Sequence, residues 1–182
     1  QERRAFLCLN LLLTPQPIRT QELCRTLDCS RSTILNDLEK VEGWLAQKNI
    51  TLVKQPRVGL CCSGDELERR QLILDILTES LGTQNLLRYA ELGTEPPDRV
   101  ALLLAGSLLP LQMAQVIFSG LKRLDNLLRR PIEDDHLAQL IVRLAIAFCR
   151  GFSGCALNLD DPNADYIPQT AEYAAARLVL DE

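Results

Sequence analysis

Two short amphipathic patterns lie close together near the start of the chain. Apolar residues recur every three or four positions in both segments: Leu23 and Leu27 in the first, and Ile34, Leu38, Val41 and Leu45 in the second. This spacing gives each segment one apolar face, which predicts two helices that pack against each other. The connection between them is Asp28-Cys29-Ser30. We expect Asp28 to end the first helix and the Ser30 side chain to cap the second.

The polar positions on the second helix carry side chains suited to nucleic acid. Arginine can bond guanine, asparagine can bond adenine, and serine or threonine can bond phosphate. Recognition helices contact bases through their N-terminal turns, where the helix dipole also favours phosphate. The pattern therefore predicts DNA contacts by Arg31, Ser32, Thr33, Asn36 and Lys40. The alternative interpretation is a helical pair whose polar face is only solvated.

A β-hairpin is predicted directly after the second helix. Short strand patterns at 50–55 and 60–63 flank Pro56-Arg57-Val58-Gly59, whose proline and glycine are typical of a turn. This arrangement resembles the wing of a winged helix, and Lys54 and Arg57, at or near its tip, are predicted to contact the DNA backbone. An earlier helix would complete a three-helix core through Phe6, Leu9, Leu12 and Leu13.

The second half of the chain has helical patterns without a β pattern. A helix is predicted from Asp65 to Leu81, with an apolar face of Leu67, Leu72, Ile73, Ile76 and Leu77. Residues 82–98 have the composition of a linker, and further helices are predicted at 110–128, 133–150 and 168–180. The expected fold is mainly α: a winged helix-turn-helix domain at 1–81, a linker at 82–98 and an all-helical bundle at 99–182.

Charge differs between the two halves. The net charge of −4 divides into +3 for residues 1–64, from nine Lys or Arg and six Asp or Glu, and −7 for residues 65–182, from eleven and eighteen. A mildly basic segment suits phosphate contact, whereas DNA would repel the acidic remainder. The longest apolar run, 100–109, is too short to cross a bilayer and no signal peptide is visible, so we expect a cytoplasmic protein without a membrane partner.

Cysteine and histidine content argues against metal chemistry. The seven cysteines form no CxxC pair and the chain has one histidine, so reduced core cysteines are expected and neither a metal nor a cofactor is predicted. No glycine-rich phosphate loop, nucleophile motif or carboxylate cluster is present. We therefore expect no enzymatic activity.

Longer sequence segments resemble a known family, the bacterial transcription regulators with phosphotransferase regulation domains (PRDs), of the mannitol- and lichenan-operon activator type. Residues 2–80 are similar to the family's Mga-like helix-turn-helix, through SRSTILNDLEKVEGWL and ITLVKQPRVGLCCSGDELERRQLILDIL. Residues from about 100 to 182 resemble the first half or more of one PRD, through IEDDHLAQLIVRLAIAFCRG and YIPQTAEYAAARLVLDE. The chain begins without Met and stops within a helical pattern, so we expect a fragment.

The resemblance implies regulation by phosphorylation of a histidine in the PRD by phosphocarrier proteins. In the family this histidine lies seven positions before an arginine followed closely by glycine. Aligning that arginine with Arg150 places Arg143 at the expected phosphoacceptor position, which departs from the family pattern. His136 precedes Arg143 by seven and is the candidate in a second register. The alternative interpretation of His136 is an exposed helical residue without a regulatory role.

The sequence therefore predicts a homodimeric DNA-binding regulator of sugar-uptake or sugar-use genes, controlled by phosphocarrier proteins of the phosphotransferase system. Two alternatives remain open. One is a winged unit that serves only in dimerisation or signal transmission. The other is an RNA-binding antiterminator, against which the helical pattern of residues 1–48 argues.

Overall fold

The computed structural model describes residues 2–94, 108–129, 131–155, 157 and 165–180. Within these residues the protein is mainly helical, as predicted, with a two-stranded antiparallel sheet. The winged half contains α1 (Glu2–Leu13), α2 (Thr20–Leu27), α3 (Arg31–Ala46), β1 (Thr51–Gln55), β2 (Gly59–Ser63) and α4 (Glu66–Leu81). The helical half contains α5 (Thr83–Leu92), α6 (Leu111–Leu128), α7 (Asp134–Phe152), a short 3-10 helix (Ile167–Gln169) and α8 (Ala171–Leu180).

Helix α1 is the central helix of the winged half. Its apolar side chains are almost fully enclosed, because α1 packs against α3, α4 and β2. Burial of this kind is the main source of stability in a small fold. The prediction of an initial helix that closes the helix-turn-helix core is confirmed, with Phe6, Leu9 and Leu12 buried and Leu13 packed at the edge.

The turn between α2 and α3 is built by the two residues that the sequence indicates. Asp28 follows α2 in the left-handed region, with φ 50°. The Cys29 amide then donates to the Cys24 carbonyl at 3.1 Å, which satisfies a free carbonyl at the helix end. At the start of α3, the Ser30 hydroxyl accepts a hydrogen bond from the Thr33 amide at 3.2 Å. The cap fixes the residue at which α3 begins.

The hairpin is anchored to the segment that precedes α2. Strands β1 and β2 pair from Thr51 with Ser63 to Gln55 with Gly59. Ile18 and Leu60 exchange two backbone hydrogen bonds of 2.8 Å, which adds a short third strand position. A Cβ atom on Gly59 would lie 2.6 Å from the Ile18 carbonyl oxygen, so only glycine permits this approach.

Two expectations for the second half are corrected. The described part of the predicted linker contains helix α5, which packs against α6 and α7, while residues 95–98 lie outside the described residues. Gly93, with φ 68°, is the C-terminal cap of that helix rather than a linker residue. Leu67, predicted to belong to the apolar face, is 52% exposed in the first turn of α4, although Leu74 on the same side of the helix is buried.

The helices of the second half complete one continuous core. Buried side chains of α4 lie between α1 and α7, and α5, α6 and α7 pack on one another. Helix α8 packs on α6. Among the described residues, no helix is both long enough and apolar enough to cross a membrane.

Candidate nucleic-acid interface

The N-terminal turn of α3 faces solvent. Arg31, Ser32, Asn36 and Lys40 are exposed and Thr33 is half-buried. The hydroxyls of Ser32 and Thr33 each lie 2.8 Å from the Ser30 hydroxyl, so the cap also orders these two side chains. The first turn carries no acidic residue, which leaves the positive end of the helix dipole uncompensated there. This turn can accept an anionic ligand such as a DNA phosphate.

The outward face of α3 contains two further residues that the sequence patterns did not single out. Leu35 is 45% exposed and Glu39 is also exposed. A glutamate on such a face can accept a hydrogen bond from the N4 amino group of cytosine, while it repels phosphate. The sequence signal for Glu39 was its polar position on the outward face of α3.

An open groove of about 810 Å³ runs between the start of α2 and the hairpin. Four basic residues line it: Arg19, Arg31, Lys54 and Arg57. Thr20 and Gln21 also border the groove. The sequence interpretation missed Arg19, whose signal was a basic residue at the N-cap position of α2. The groove brings the predicted wing cations together with Arg31 of α3.

The hairpin cations differ in their surroundings. Lys54 forms an ion pair with Glu42 on α3, so part of its charge is neutralised within the protein. Arg57 is exposed at the tip of the hairpin and adopts a left-handed backbone conformation with φ 67°. Arg57 therefore presents the less compensated charge of the two.

A second ion-pair cluster lies on α3 near the start of α1. Asp37 is 3% exposed and accepts hydrogen bonds from Arg3 Nε at 2.5 Å and from Arg4 Nε at 2.9 Å. Burial opposes the charged carboxylate, but the two arginine hydrogen bonds outweigh it and hold the pKa of Asp37 below its ordinary value. Arg3 also interacts with Cys29 in the turn. The cluster fixes the orientation of α3 relative to α1.

A buried arginine joins the helical half to the winged half. Arg150 of α7 is 2% exposed, and its guanidinium forms two hydrogen bonds with the Glu66 carboxylate, at 2.9 and 2.7 Å. The same guanidinium donates to the Leu12 and Leu13 carbonyls at 3.0 and 3.1 Å. These carbonyls end α1, where no further turn of the helix supplies an amide donor to them.

Two arginines of α4 extend this junction. Arg69 donates to the Leu12 carbonyl at 3.3 Å and to the Cys62 carbonyl at 2.9 Å. Arg70 donates to Glu66 at 3.0 Å and to the Cys155 carbonyl at 2.8 Å. Burial opposes the charge of Glu66, but the hydrogen bonds from Arg150 and Arg70 lower its pKa below the ordinary value. We call Glu66, Arg69, Arg70 and Arg150 the junction cluster.

The candidate phosphoacceptor positions lie on α7, away from this cluster. His136 is exposed in the first turn of α7, and its Nδ1 lies 3.6 Å from the Glu133 carboxylate. Arg143, one heptad later, is also exposed. Arg150, one further heptad along, is the buried junction residue. Both His136 and Arg143 are therefore accessible from solvent within the described residues.

All seven cysteines are free thiols. Burial raises the pKa of Cys8 to about 12 and that of Cys62 to about 11, so both are protonated thiols near neutral pH. Among the described residues, no group of three or more His, Cys, Asp or Glu is arranged to hold a metal ion.

Three packed helices, a capped turn and an anchored hairpin define a winged helix-turn-helix domain. Residues 3–60 match the family described as the HTH domain, and the fold observed for this segment agrees with that match.

Two bacterial regulators are similar to the chain. The "Probable licABCH operon regulator" of Bacillus subtilis (strain 168) is 28% identical over 183 residues, which cover 100% of this chain and 26% of that protein. "Transcriptional regulator ManR" of the same strain is 33% identical over 76 residues, which cover 42% of this chain and 12% of that protein. The chain thus spans 26% or less of the length of either relative. These matches confirm the predicted resemblance to regulators of this type.

Proposed function

We propose that this chain binds double-stranded DNA through α3 and contributes to transcription regulation of sugar-uptake or sugar-use genes. The observation that carries the proposal is the solvent-facing N-terminal turn of α3, which remains exposed although the helical half packs on the same winged core. A helix presented in this way fits the width of the DNA major groove. The similarity to two operon regulators supports the same function.

The residues divide into two groups by their position. Arg31, Ser32, Thr33, Asn36 and Lys40 lie on α3 and are assigned to base edges and adjacent phosphates. Lys54 and Arg57 lie on the hairpin and are assigned to the DNA backbone. Because Glu42 already pairs with Lys54, we assign the larger backbone contribution to Arg57.

Replacing Arg31 and Asn36 with Ala tests the proposal directly. We expect operator affinity to fall by roughly 1–3 kcal/mol for each base that is no longer bonded, with no loss of folding, because both side chains are exposed. Fluorescence anisotropy with duplexes selected from genomic DNA measures the affinity. Arg88→Ala, which replaces an exposed arginine of α5, is the matched control and leaves affinity unchanged. Equal affinity of the double variant and the unmodified chain would contradict the proposal.

We further propose that residues 99–182 form a PRD-like regulation domain that responds to phosphocarrier proteins of the phosphotransferase system. The junction cluster supports this assignment, because it links α7 directly to the end of α1 in the winged half. His136 is the one histidine of the chain and is accessible, so phosphorylation on histidine in this chain has one acceptor. Phosphate transfer from a phosphocarrier protein to the unmodified chain and to His136→Gln, followed by mass spectrometry, tests it.

Homodimerisation is the second part of the proposed arrangement. Leu144, Phe148 and Phe152 lie four residues apart on α7 and are 37%, 44% and 87% exposed. The rings of Phe148 and Phe152 stack at a centroid distance of 6.5 Å. An exposed apolar stripe of this kind favours association. Sedimentation of the Phe152→Ser variant and of the unmodified chain measures whether a dimer forms through this stripe.

The same stripe favours the second candidate function, a module that dimerises without binding DNA. A salt series separates the two functions. A DNA-binding protein loses affinity steeply as the salt concentration rises, because its phosphate contacts release counterions. A module that only dimerises shows no measurable binding to DNA at any salt concentration.

A further inference from the structure

Two of the three acidic residues of α3, Asp37 and Glu42, mark two different flanks of the helix, whereas Glu39 lies on its outward face. Asp37 and Glu42 are five residues apart, which places them about 140° apart around an α-helix. Asn36 lies about 100° from Asp37 and about 120° from Glu42, in the remaining sector. The predicted base-reading face therefore lies between a flank that pairs with the hairpin and a flank that pairs with α1.

The two flanks correspond to the two sides of a DNA groove. A helix in the major groove lies between two phosphate ridges, one on each side. The hairpin flank meets one ridge through the groove that contains Arg19, Arg31 and Arg57. The other ridge would meet the α1 flank, where Arg3 and Arg4 lie.

Arg3 and Arg4, on this flank, have N–H donors beyond those that bond Asp37. Two guanidinium charges face one carboxylate, and both contacts to Asp37 run through Nε. A guanidinium has about five N–H donors, so each arginine retains about four beyond that bond. The side chains of Arg3 and Arg4 are 43% and 41% exposed, whereas that of Asp37 is 5% exposed. Solvent therefore meets the cations and not the anion.

Arg3 is also placed beside the base-reading turn. It interacts with Cys29, which directly precedes the Ser30 cap. Glu2 borders the same pocket as Arg3, Arg4 and Asp37, and its carboxylate opposes an anionic ligand there. The cluster as a whole is thus a pair of half-exposed arginines held in place by a buried carboxylate, with one acidic neighbour.

We propose that Arg3 and Arg4 bind DNA phosphates, up to one each, on the flank of α3 opposite the hairpin, and that Asp37 positions them. This inference rests on the proposed DNA-binding function. Since a phosphate contact carries no sequence information, both arginines strengthen binding to any duplex equally. Salt dependence is measured as the slope of log K against log salt concentration. Removing the arginines reduces the magnitude of this slope by about 0.9 for each phosphate that is no longer neutralised.

The test compares two variants of the 182-residue chain that share the same carboxylate change. Asp37→Asn retains both arginines, and Arg3→Gln/Arg4→Gln/Asp37→Asn removes them without leaving an unpaired buried carboxylate. Binding to a labelled duplex of random sequence, about three helical turns long, is followed by anisotropy from low to high salt. We expect the triple variant to show a slope reduced by about 1 to 2 relative to Asp37→Asn.

Controls separate this contact from general charge effects. Arg88→Gln/Lys122→Gln removes two exposed charges of the helical half and leaves the slope unchanged. Glu2→Gln raises affinity, because it removes the carboxylate beside the arginines. If the triple variant has a lower melting temperature than the unmodified chain, Arg4→Gln alone is used, since Arg3 still bonds Asp37 in that variant. The magnitude of the salt slope of Arg4→Gln is then expected to be smaller by about 0.9 than that of the unmodified chain.

Two results overturn the proposal in distinguishable ways. If the unmodified chain binds with a steep salt slope and the folded triple or Arg4→Gln variant keeps that slope, Arg3 and Arg4 do not contact DNA while the proposed function stands. If the unmodified chain shows no salt-dependent binding to duplex DNA, the proposed function fails and this inference fails with it.

Discussion

The N-terminal turn of α3 and the junction cluster both contain arginine and are built in opposite ways. Arg31 at the turn is exposed, and the cap that orders its neighbours is made between Ser30 and Thr33, within one helical turn. Arg150 at the junction is 2% exposed, and its hydrogen bonds reach carbonyls 138 and 137 positions away. An exposed arginine keeps its donors for a ligand, whereas a buried arginine uses them to satisfy the protein.

The largest expected effect concerns the junction. Arg150→Ala removes two hydrogen bonds from the Glu66 carboxylate, which keeps Arg70, and one each from the Leu12 and Leu13 carbonyls, of which Leu12 keeps Arg69. We expect the free energy of unfolding to fall by about 3 kcal/mol, the lower end of the range for breaking a buried ion pair, because Glu66 keeps one partner. Urea unfolding followed by circular dichroism measures it. Arg143→Ala, exposed one heptad earlier on α7, stays within about 0.5 kcal/mol. Equal free energies of unfolding for the two variants would contradict the expectation that the buried arginine contributes more to stability than the exposed one.

Acidification tests the carboxylates that hold each region. The pKa values of Glu66 and Asp37 are lowered in the folded chain, so their contribution to stability is present above their unfolded pKa values, about 4. It is lost as the pH falls through the folded values. A hydrogen bond to a charged group contributes roughly 1.5–3 kcal/mol, so we expect a loss of that order. Glu66→Gln and Asp37→Asn should each flatten the decline below about pH 4. An unchanged pH profile in both variants would contradict this origin of acid sensitivity.

A smaller effect is expected at the turn itself. Ser30→Ala removes the cap of α3, and we expect a cost of about 1 kcal/mol. Because the cap also orders Ser32 and Thr33, DNA affinity should decrease more than the loss of stability alone explains. Thermal melting and anisotropy are measured on the same samples. Ser80→Ala, at an exposed position near the end of α4, is the control for a serine without a capping role.

The smallest effect concerns the ion pair between α3 and the hairpin. Glu42→Gln frees Lys54, and since the Lys54 side chain is 58% exposed, we expect less than about 1 kcal/mol change in stability. DNA affinity should rise, because Lys54 then carries an uncompensated charge. A fall in affinity would show that Glu42 is needed to aim Lys54. Glu79→Gln, on α4, removes one carboxylate outside the interface and is the matched control.

The parts of the fold that follow local rules could be predicted from the sequence. The apolar spacing of α2 and α3 and the serine cap are properties of a few neighbouring residues. The sequence patterns do not predict helix α5, because Gly82 and Gly93 suggest a linker. Leu86, Leu87 and Ala90 nevertheless have helical spacing and are buried. Glycine marks a helix end as readily as a loop.

The contacts of the interface could be predicted less fully than its helices. Arg31, Asn36 and Arg57 follow from residue type and position, and whether they bind DNA stays a prediction. The pairing of Arg3 and Arg4 with Asp37 joins residues 34 and 33 positions apart, and the Arg150 bonds join still more distant ones. No local periodicity encodes such pairs, because they depend on how whole helices pack.

The placement of Arg150 has a consequence for engineering chimeras. A cut between the winged half and the helical half would separate the guanidinium from the carbonyls of Leu12 and Leu13. A foreign effector fused after α4 would leave the Leu12 carbonyl with Arg69 and the Leu13 carbonyl without the Arg150 donor, so the end of α1 would be held less firmly. Exchange of these halves is therefore constrained by a single buried side chain as well as by the packing between α4 and α7.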